Sequence, residues 1–587
     1  MQNEQPHPDR TQSDDDLAVG GARLAELLDL TRAWISADPE AATRNALAAM
    51  VERAERSGDT TELEEHMGRR LEFGTAGLRG AMGPGSNRLN RLVVRQTAAG
   101  LADAIRSHGD PVAGVLVGHD ARHHSAEFAR DIVSVLEGAG VACTLVDGPN
   151  PTPLIAWGMR RLGATAAVVV TASHNPAQDN GIKIYWSDGA QIIPPVDRWI
   201  AEAIDAAATL GDPDAPAVQP TLASPELTDD YVAFVASLVG PAPRPPADSA
   251  RTGNRGRTLR IAATSMHGVG DVLLRRCLAA AGFSDLHVVA GQSRPDPDFP
   301  TVAFPNPEEP GATDALLALA ESVGADVAFA NDPDADRLAV GVAGPDGWRM
   351  LSGDDVGALF AVGLLDRHPP AAGAPLLVTT VVSSQLLAEI AGAVGATFRE
   401  TLTGFKWLCR PALEDPSLDQ VLAYEEALGY AVGGLRDKDG LSAAVVMADL
   451  LSTWSAEGTA PRDVLDDLAR RHGAHVQDNR STRVSGPGWV ERIAAIAASV
   501  TEAPPSALGG VDVGRTDRPA ADVLRWFLDN GDRVVIRPSG TEPKLKVYAE
   551  AVEPVRADEP PDAARSRARA RLELIHAELS PRLRPAP

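Results

Sequence analysis

The chain has little cysteine, fewer basic than acidic residues and no long apolar run. Its 587 residues include only Cys143, Cys277 and Cys409, which lie far apart and form no CxxC pair. We therefore expect no disulfide framework and no zinc site, and a reducing, cytoplasmic setting fits best. No segment approaches the roughly 18 to 20 apolar residues that span a bilayer. The polar N-terminus, MQNEQPHPDRTQSDDD, lacks the basic start and apolar core of a signal peptide.

The excess of acidic residues gives a net charge of −25. Such a charge argues against nucleic acid or an anionic membrane as a partner. It leaves a small anionic substrate open, because a local cluster of Lys and Arg in a cleft can outweigh the overall charge. Clustered basic residues at turns are therefore of interest.

The composition, with 44% hydrophobic and 23% charged residues, is that of an ordinary globular protein. The length suggests about four domains. Residues 1–20 are predicted to form a disordered acidic tail and residues 22–70 to be helical. Candidate linkers rich in Pro and Gly lie at residues 207–224, 240–258 and 367–375.

A loose repeat of strand, polar turn, helix and strand occurs three times, starting at GVLVGHD (114–120), LRIAAT (259–264) and PLLVTTV (375–381). Each copy is typical of a right-handed βαβ unit. Either the copies are related domains, or they are the units that any α/β protein of this length contains. Both alternatives predict several α/β domains, followed by a separate α+β module after about residue 463.

The segment TASHNPAQDNGIKIY (171–185) follows the apolar run 166–170, which predicts a buried strand ending in small polar residues. In open α/β folds, ligands bind at this end of the sheet. Ser173 is a candidate nucleophile, helix cap or turn residue, with His174 beside it. Lys183 adds a cation that could meet a phosphate. The absence of a GxSxG elbow argues against a hydrolase triad.

The segment NDPDADRL (331–338) also follows an apolar run and carries Asp332, Asp334 and Asp336. Oxygen-only carboxylate ligands suit a hard cation such as Mg²⁺. An EF-hand is excluded, because Arg337 and Ala343 occupy the positions that need Gly and Glu. Three carboxylates this close repel one another, so the spacing favours a metal site over a solvated charge run.

Three further polar loops carry weaker signals. In AYEEALGY (423–430), followed by RDKDG (436–440), Glu425 and Glu426 could accept hydrogen bonds from sugar hydroxyls, and TLTGFKW (401–407) places Lys406 in a turn. The segment VVIRPSGTEPKLKVY (534–548) offers an Arg fork, hydroxyls and free N–H groups for a phosphate. The Gly-rich stretch EFGTAGLRGAMGPGSNRLN (72–90) contains Arg79 but no Walker motif.

Taken together, the loops resemble those of the α-D-phosphohexomutase superfamily, the phosphoglucomutases and phosphomannomutases. TASHNP is similar to its phosphoserine loop, DPDADR to its metal loop, EEALG to its sugar-binding loop and RPSGTEPKLKVY to its phosphate-binding loop. The order and spacing match over roughly residues 70–550. FGTAGLRG and EEALGY look most like the phosphoglucomutase-2-like subgroup. The chain departs from the family at Pro333 and Ala335 in the metal loop and at Ala427, where Ser is common.

The resemblance implies an α/β protein of four domains around a central cleft, three of them similar with mixed sheets and the fourth a smaller α+β domain. The expected domains are residues 21–215, 216–350, 351–462 and 463–587. The resemblance further implies an isomerase, a phosphoglucomutase that needs Mg²⁺ and is activated by glucose 1,6-bisphosphate. A sugar phosphate is the expected partner of a monomer or weak homodimer. Phosphomannomutase, phosphopentomutase, a metal-dependent sugar phosphatase and a sugar-phosphate sensor are the alternatives.

The same resemblance assigns roles to individual residues. Catalysis is expected of Ser173, His174, Lys183, Arg79 and Lys406, where a lysine base would need its pKa lowered by Arg79, Arg122 and Arg337. Arg337 is expected to neutralise the phosphoserine, and Ser173 with the three aspartates to hold the metal. The expected substrate-binding residues are Glu425, Ala427, Arg436, Lys438, Arg537, Ser539, Gly540, Thr541 and Lys544.

Overall fold

A computed structural model describes residues 14–74, 77–206, 220–240, 257, 259–345, 347–368, 373–484, 488–538 and 544–583. Three helices come first, namely α1 (Asp14–Ala37), α2 (Ala41–Ser57) and α3 (Thr61–Met67). Leu27, Trp34, Leu47 and Leu63 of these helices pack into one core with the first α/β domain. The helix α1 begins within the expected tail of residues 1–20, where three successive aspartates favour a helix N-terminus.

The first sheet has seven strands in the order β1-β2-β6-β5-β3-β4-β7. Strands β3, β4, β5 and β7 are parallel, whereas β6 pairs antiparallel with β5 and β2 pairs antiparallel with β6. The strands are β1 (Phe73–Gly74), β2 (Gly77–Ala81), β3 (Val115–His119), β4 (Cys143–Leu145), β5 (Ala166–Val170), β6 (Asp179–Tyr185) and β7 (Thr221–Leu222). Its helices are α4 (Arg91–His108), α5 (Ser125–Gly138), α6 (Thr152–Leu162) and α7 (Val196–Ala206).

The second sheet has the order β12-β11-β10-β8-β9, and the third has the order β14-β13-β15-β16. The second domain contains α8 (Glu226–Ser237), β8 (Ile261–Thr264), α9 (Asp271–Ala280), β9 (Leu286–Val288), α10 (Asp314–Val323), β10 (Val327–Ala330), β11 (Ala339–Gly344) and β12 (Gly347–Met350). The third contains α11 (Gly353–Leu365), β13 (Ala374–Thr380), α12 (Leu386–Val394), β14 (Thr397–Thr401), α13 (Phe405–Leu408), α14 (Arg410–Glu414), β15 (Leu418–Glu425), β16 (Gly429–Val432), α15 (Gly440–Ala456) and α16 (Pro461–His472).

The three predicted βαβ units are confirmed as β3-α5-β4, β8-α9-β9 and β13-α12-β14, and each joins a parallel pair of strands. Buried apolar side chains of all three domains form one continuous core, to which Tyr231, Leu274, Phe329 and Tyr424 belong. This shared core fixes the three sheets relative to one another.

The fourth domain is an α+β module with a six-stranded antiparallel sheet in the order β17-β22-β21-β20-β19-β18. It contains β17 (Ala474–Arg483), α17 (Trp489–Glu502), β18 (Ala507–Leu508), β19 (Val511–Ala520), β20 (Val523–Leu528), β21 (Arg533–Pro538), β22 (Lys544–Glu553) and α18 (Pro561–Leu579). Its own core includes Trp526 and Ile575. The buried Glu550 joins it to the third domain, because its carboxylate accepts hydrogen bonds from Ser384 Oγ at 2.6 Å and Gln385 N at 3.0 Å.

The expected domain limits disagree with the observed strands and helices in two places. Strand β7 extends the first sheet to Leu222, past the expected limit at residue 215, and the expected limit at residue 462 falls inside α16. No helix in the described part of the chain is both long and apolar enough to cross a membrane.

Candidate functional site

The four loops that resemble family loops each connect two neighbouring antiparallel strands, namely β5 to β6, β10 to β11, β15 to β16 and β21 to β22. In each of the first three loops a residue other than glycine adopts a left-handed backbone, with φ of 54° at Ser173, 56° at Ala335 and 63° at Leu428. Such residues are uncommon and cost backbone energy, so the surrounding contacts must hold them. The three domains thus present their polar loops in the same way.

The backbone of Ser173 is held on both sides. Its N–H donates to Thr171 Oγ1 at 2.8 Å, and its carbonyl accepts from Arg122 Nη2 at 2.7 Å. Its hydroxyl donates to Asp332 Oδ2 at 2.7 Å and lies 3.2 Å from His174 Nδ1. The structure therefore brings the predicted serine loop and the predicted metal loop into direct contact.

The carboxylates of Asp332, Asp334 and Asp336 are fully buried, and one oxygen of each lies within 4.8 Å of the others. Their loop is held from inside by Asn331, whose side-chain N–H donates to the carbonyl of Arg337 at 2.7 Å. A buried hydroxyl of the first domain, Thr152 Oγ1, donates to Asp334 Oδ2 at 2.7 Å.

These carboxylates fit a hard cation. The Oδ1 atoms of Asp334 and Asp336 are buried and have no hydrogen-bond partner among the described residues. Burial and the charges of the other two aspartates raise the pKa of Asp332 well above its usual value. Burial opposes ionisation of Asp334 too, but the ammonium of Lys183 outweighs it and lowers that pKa. An oxygen-only set with unsatisfied acceptors could hold a metal.

Two lysines supply positive charge to the three carboxylates. Lys183 Nζ lies 2.7 Å from Asp334 Oδ2 and 2.5 Å from Asp336 Oδ2, and Lys438 Nζ lies 2.9 Å from the same oxygen of Asp336. Burial opposes the charge on Lys183, but Asp334 and Asp336 outweigh it and raise its pKa. A lysine base at this position would need a lowered pKa; the aspartates in contact with Lys183 raise it instead.

The remaining catalytic candidates in the first domain surround the serine loop. Arg79 Nη1 donates to Asn175 Oδ1 at 3.1 Å, and burial lowers its pKa. Burial, with Arg337 and Arg79 nearby, lowers the pKa of His174 well below its usual value. The backbone N–H of Arg337 donates to Asp332 Oδ1 at 3.0 Å, which places its side chain at the same opening.

The predicted sugar-binding loop is joined to the predicted metal loop through the backbone. Leu338 N donates to the carbonyl of Leu428 at 3.0 Å. Glu426 accepts from Ser383 Oγ at 3.1 Å and is thereby held by the third domain. Burial raises the pKa of Glu425, which faces Lys438. Glu425 and Ala427, two of the predicted residues, thus lie on a rigid loop beside the carboxylates.

Two predicted residues are further from the carboxylates. Arg436 donates to the carbonyl of Asp188, across the junction of the first and third domains. Lys406 is the second residue of α13, with its Nζ 6.0 Å from the centre of the Trp407 ring. Burial lowers its pKa; the charge of Asp197 opposes that change and the charge of Arg537 adds to it.

The predicted phosphate-binding loop is described only at its ends. Arg537 is the next-to-last residue of β21, and Lys544 opens β22. The expected residues Ser539, Gly540 and Thr541 lie outside the described residues. Arg537 pairs in register with Lys546, so two cations flank the loop on adjacent strands.

Sequence reasoning missed three parts of this site. Arg122 was considered only as a charge, yet its guanidinium also donates to the carbonyls of Asn175, Pro176 and Asp179. Its position after β3 was a usable signal, since β3 and β5 are parallel neighbours. Thr152 and Glu308 gave no signal, because only the fold brings them to the metal loop.

Comparison with known proteins gives a consistent result from residue 70 to residue 565. Four descriptions match in order: "Phosphoglucomutase/phosphomannomutase, alpha/beta/alpha domain I" at residues 70–210, domain II at 230–344, domain III at 352–472 and the C-terminal domain at 483–565.

Relatives of similar length carry the names of several sugar-phosphate mutases. A Haemophilus influenzae protein named "Probable phosphomannomutase" is 39% identical over 81% of this chain and 95% of its own. A Schizosaccharomyces pombe protein named "Probable phosphoribomutase" is 34% identical over 89% and 93%. A human phosphopentomutase and a Staphylococcus aureus phosphoglucomutase match at 32% and 29% identity.

A solved structure of a phosphoglucomutase/phosphomannomutase family protein from Burkholderia thailandensis has the same fold. It superposes with a TM-score of 0.64 at 22% identity, over 87% of this chain and 98% of its own.

Proposed function

Because this chain belongs to the α-D-phosphohexomutase superfamily, whose members are mutases, we propose that it is a phosphoglucomutase. It would interconvert glucose 1-phosphate and glucose 6-phosphate reversibly. The observation that carries the proposal is the hydroxyl of Ser173, which lies 2.7 Å from Asp332 within a buried group of three carboxylates. A serine in that position can carry a phosphoryl group beside a cation site.

In this proposal Ser173 is the phosphoryl carrier. The phospho form transfers its phosphoryl group to the free hydroxyl of the sugar monophosphate, so the bond from Ser173 Oγ to phosphorus breaks as the bond to sugar oxygen forms. The resulting glucose 1,6-bisphosphate turns over in the cleft and returns its other phosphoryl group to Ser173. Added glucose 1,6-bisphosphate would act as activator, because it phosphorylates Ser173 directly.

The three aspartates and a phosphoserine oxygen would hold Mg²⁺. A bound Mg²⁺ supplies charge withdrawal from the transferring phosphoryl group, the main contribution in phosphoryl transfer. Arg337 would neutralise the remaining charge of the phosphoserine. The backbone contacts of Ser173 support its role as phosphoryl carrier, since they fix the position of this residue before substrate binds.

Substrate would be held from two sides. Arg537, Ser539, Gly540, Thr541 and Lys544 would bind the phosphate that does not react. Glu425 and the backbone of Ala427 would bind sugar hydroxyls. Lys438 contacts Asp336, and Arg436 contacts the carbonyl of Asp188. These contacts support a part for both residues in holding the loops together, besides their proposed part in binding substrate.

A general base is needed to accept the proton of the attacking hydroxyl. His174 is supported by position, since its Nδ1 lies 3.2 Å from Ser173 Oγ. Lys183 is engaged by two carboxylates and is better suited to balancing their charge. Lys406 remains a second candidate, which would act from the side of the third domain.

A phosphopentomutase is the second candidate function. The relatives named phosphopentomutase and phosphoribomutase cover about 90% of this chain at 32% to 34% identity. Ala427 supports this candidate further, because its side chain offers no hydroxyl to the sugar. A pentose and a hexose monophosphate could share the same serine, metal and phosphate contacts.

Phosphorus NMR tests the proposal. The protein is incubated with Mg²⁺, a trace of the matching bisphosphate and either glucose 1-phosphate, mannose 1-phosphate or ribose 1-phosphate. Growth of a glucose 6-phosphate signal without free phosphate is the expected result. Faster conversion of ribose 1-phosphate than of glucose 1-phosphate would mean that the substrate is a pentose phosphate. Release of free phosphate alone would mean that the protein is a phosphatase.

Two variants separate the roles of the site residues. Ser173→Ala should abolish conversion, and full activity in this variant would refute the carrier role. Asp334→Ala should lower the rate and weaken its dependence on Mg²⁺. An unchanged rate and an unchanged Mg²⁺ dependence would refute the metal role.

A further inference from the structure

The second domain contributes one more charged side chain to the cleft, Glu308. It lies in the segment FPNPEEP (304–310), where Asn306 is buried between two buried prolines. Asn306 Oδ1 accepts from Glu308 N at 3.2 Å, and the carbonyl of Asn306 accepts from Glu309 N at 3.0 Å. The backbone at Glu308 is therefore fixed, although the loop has no regular secondary structure.

The side chain of Glu308 points to the opening between the loops. Its Oε2 accepts from Arg337 Nη1 at 3.1 Å, and its side chain is 40% exposed. Burial raises its pKa; the charges of Arg337 and of Lys546 in β22 oppose that rise, and Glu425 adds to it. Glu308 is thus open to solvent and also faces the metal loop, the sugar-binding loop and the fourth domain. We infer that its side chain lies inside a recess between them.

Glu308 keeps acceptor capacity for a ligand. An ionised carboxylate can accept about four hydrogen bonds, and within the described residues Arg337 is the one donor to this side chain. Four acidic groups act on the charge of Arg337; Glu308 contributes most, and Asp332, Glu425 and Asp336 contribute less. The side chain of Glu308 is 40% exposed, whereas that of Arg337 is 11% exposed. The ion pair therefore uses one acceptor position of the carboxylate and leaves the others on its solvent side for a ligand.

The charges around Glu308 indicate the kind of group it would meet. Glu308, Glu425 and Glu426 form an acidic wall, which repels a phosphate and accepts from hydroxyls. We propose that Glu308 accepts hydrogen bonds from ring hydroxyls of the sugar, opposite Glu425, and thereby helps to select the sugar. This inference rests on the proposed function. It gives the second domain a part in substrate recognition besides its metal loop.

The test compares Glu308→Ala with Glu309→Ala, an exposed neighbour on the same loop. A hydrogen bond to a charged group is worth about 1.5 to 3 kcal/mol, which corresponds to a loss of roughly 10- to 150-fold. We expect kcat/KM of Glu308→Ala to fall by that factor, mainly through KM and by different factors for glucose 1-phosphate and ribose 1-phosphate. Glu309→Ala should stay within about twofold of wild type.

A second measurement follows the loss of the phosphoryl group from phospho-Ser173 to water without sugar. We expect Glu308→Ala and wild type to lose it at the same rate, because water needs no hydroxyl contact. A changed hydrolysis rate with an unchanged KM would overturn the proposal and would mean that Glu308 acts through Arg337. Equal effects of the two variants on kcat/KM would overturn it as well.

Calorimetric binding separates this inference from the proposed function. Glucose 1-phosphate is titrated into Ser173→Ala and into Ser173→Ala/Glu308→Ala, where no turnover is needed. Binding to the single variant that is at least tenfold tighter than to the double variant supports the role of Glu308. This holds even if the wild-type protein shows no mutase activity, because absent activity refutes only the proposed function. Equal binding to both would overturn the inference about Glu308, whatever the activity.

Discussion

Replacement of Lys183 by methionine tests whether the carboxylates depend on a neighbouring cation. Three buried carboxylates face two ammonium groups in the wild-type protein, those of Lys183 and Lys438. The variant leaves one ammonium for the same three groups. Removing one partner of a buried ion pair costs about 3 to 5 kcal/mol. Since Lys438 remains on Asp336, we expect about 3 kcal/mol. The first three domains share one core, so at about 2.1 cal/mol/K of unfolding entropy per residue this loss is a fall of roughly 2 to 4 °C in the unfolding temperature.

Added Mg²⁺ should restore more stability to this variant than to wild type, because a cation can then replace the lost charge. The assay is thermal unfolding by circular dichroism, with and without Mg²⁺. The double variant Lys183→Met/Asp336→Asn removes one charge of each sign and should recover part of the loss. A fall of less than about 1 °C, or the same Mg²⁺ effect in wild type and variant, would refute the electrostatic reasoning.

Three further changes test other contacts. Arg122→Lys replaces a guanidinium that donates to four carbonyls of the serine loop. We expect kcat to fall at least about tenfold, while KM for the sugar phosphate and the circular dichroism spectrum stay unchanged. An unchanged kcat would contradict this role of Arg122. Burial raises the pKa of Asp354 to about 8, whereas the unfolded chain loses this proton near pH 3.9. Between about pH 3.9 and pH 8 the folded protein therefore holds one more proton than the unfolded chain. The free energy of unfolding should fall by up to about 1.4 kcal/mol per pH unit as the pH rises through this range. Asp354→Asn should remove that slope in urea unfolding at pH 5 and pH 8, and equal slopes would rule the explanation out. Gly440→Ala places a Cβ 2.2 Å from the carbonyl of Arg337 and should weaken Mg²⁺ binding severalfold in a titration, whereas Gly392→Ala, which meets no atom within 4 Å, should not.

The parts of the fold that depend on local patterns could be predicted. An apolar face on a helix and an apolar run in a strand are visible within ten or fifteen residues, and the three βαβ units follow from them. The place of β7 at the far edge of the first sheet could not be predicted, since it has only two residues and pairs with β4. The early start of α1 was hidden by the acidic composition of its first turn.

The members of the site were easier to predict than their contacts. Ser173 and the three aspartates stand out because each loop leaves an apolar strand. The sequence suggested that arginines could lower the pKa of a lysine base. The pKa of Lys183 is raised instead, because a sequence does not show that this lysine contacts Asp334 and Asp336. Glu308 was missed because its loop consists mostly of prolines and acids with an Asn, a pattern shared with many surface turns.

The contact between Lys183 and Asp336 has a consequence for the growing chain. These two residues are 153 positions apart. At about 5 to 20 residues per second, the ribosome makes Asp336 roughly 8 to 30 seconds after Lys183. During this interval the lysine has no carboxylate of the metal loop beside it, and β6 must leave its ammonium in water. The first domain therefore completes its packing around Lys183 only after the second domain has been synthesised.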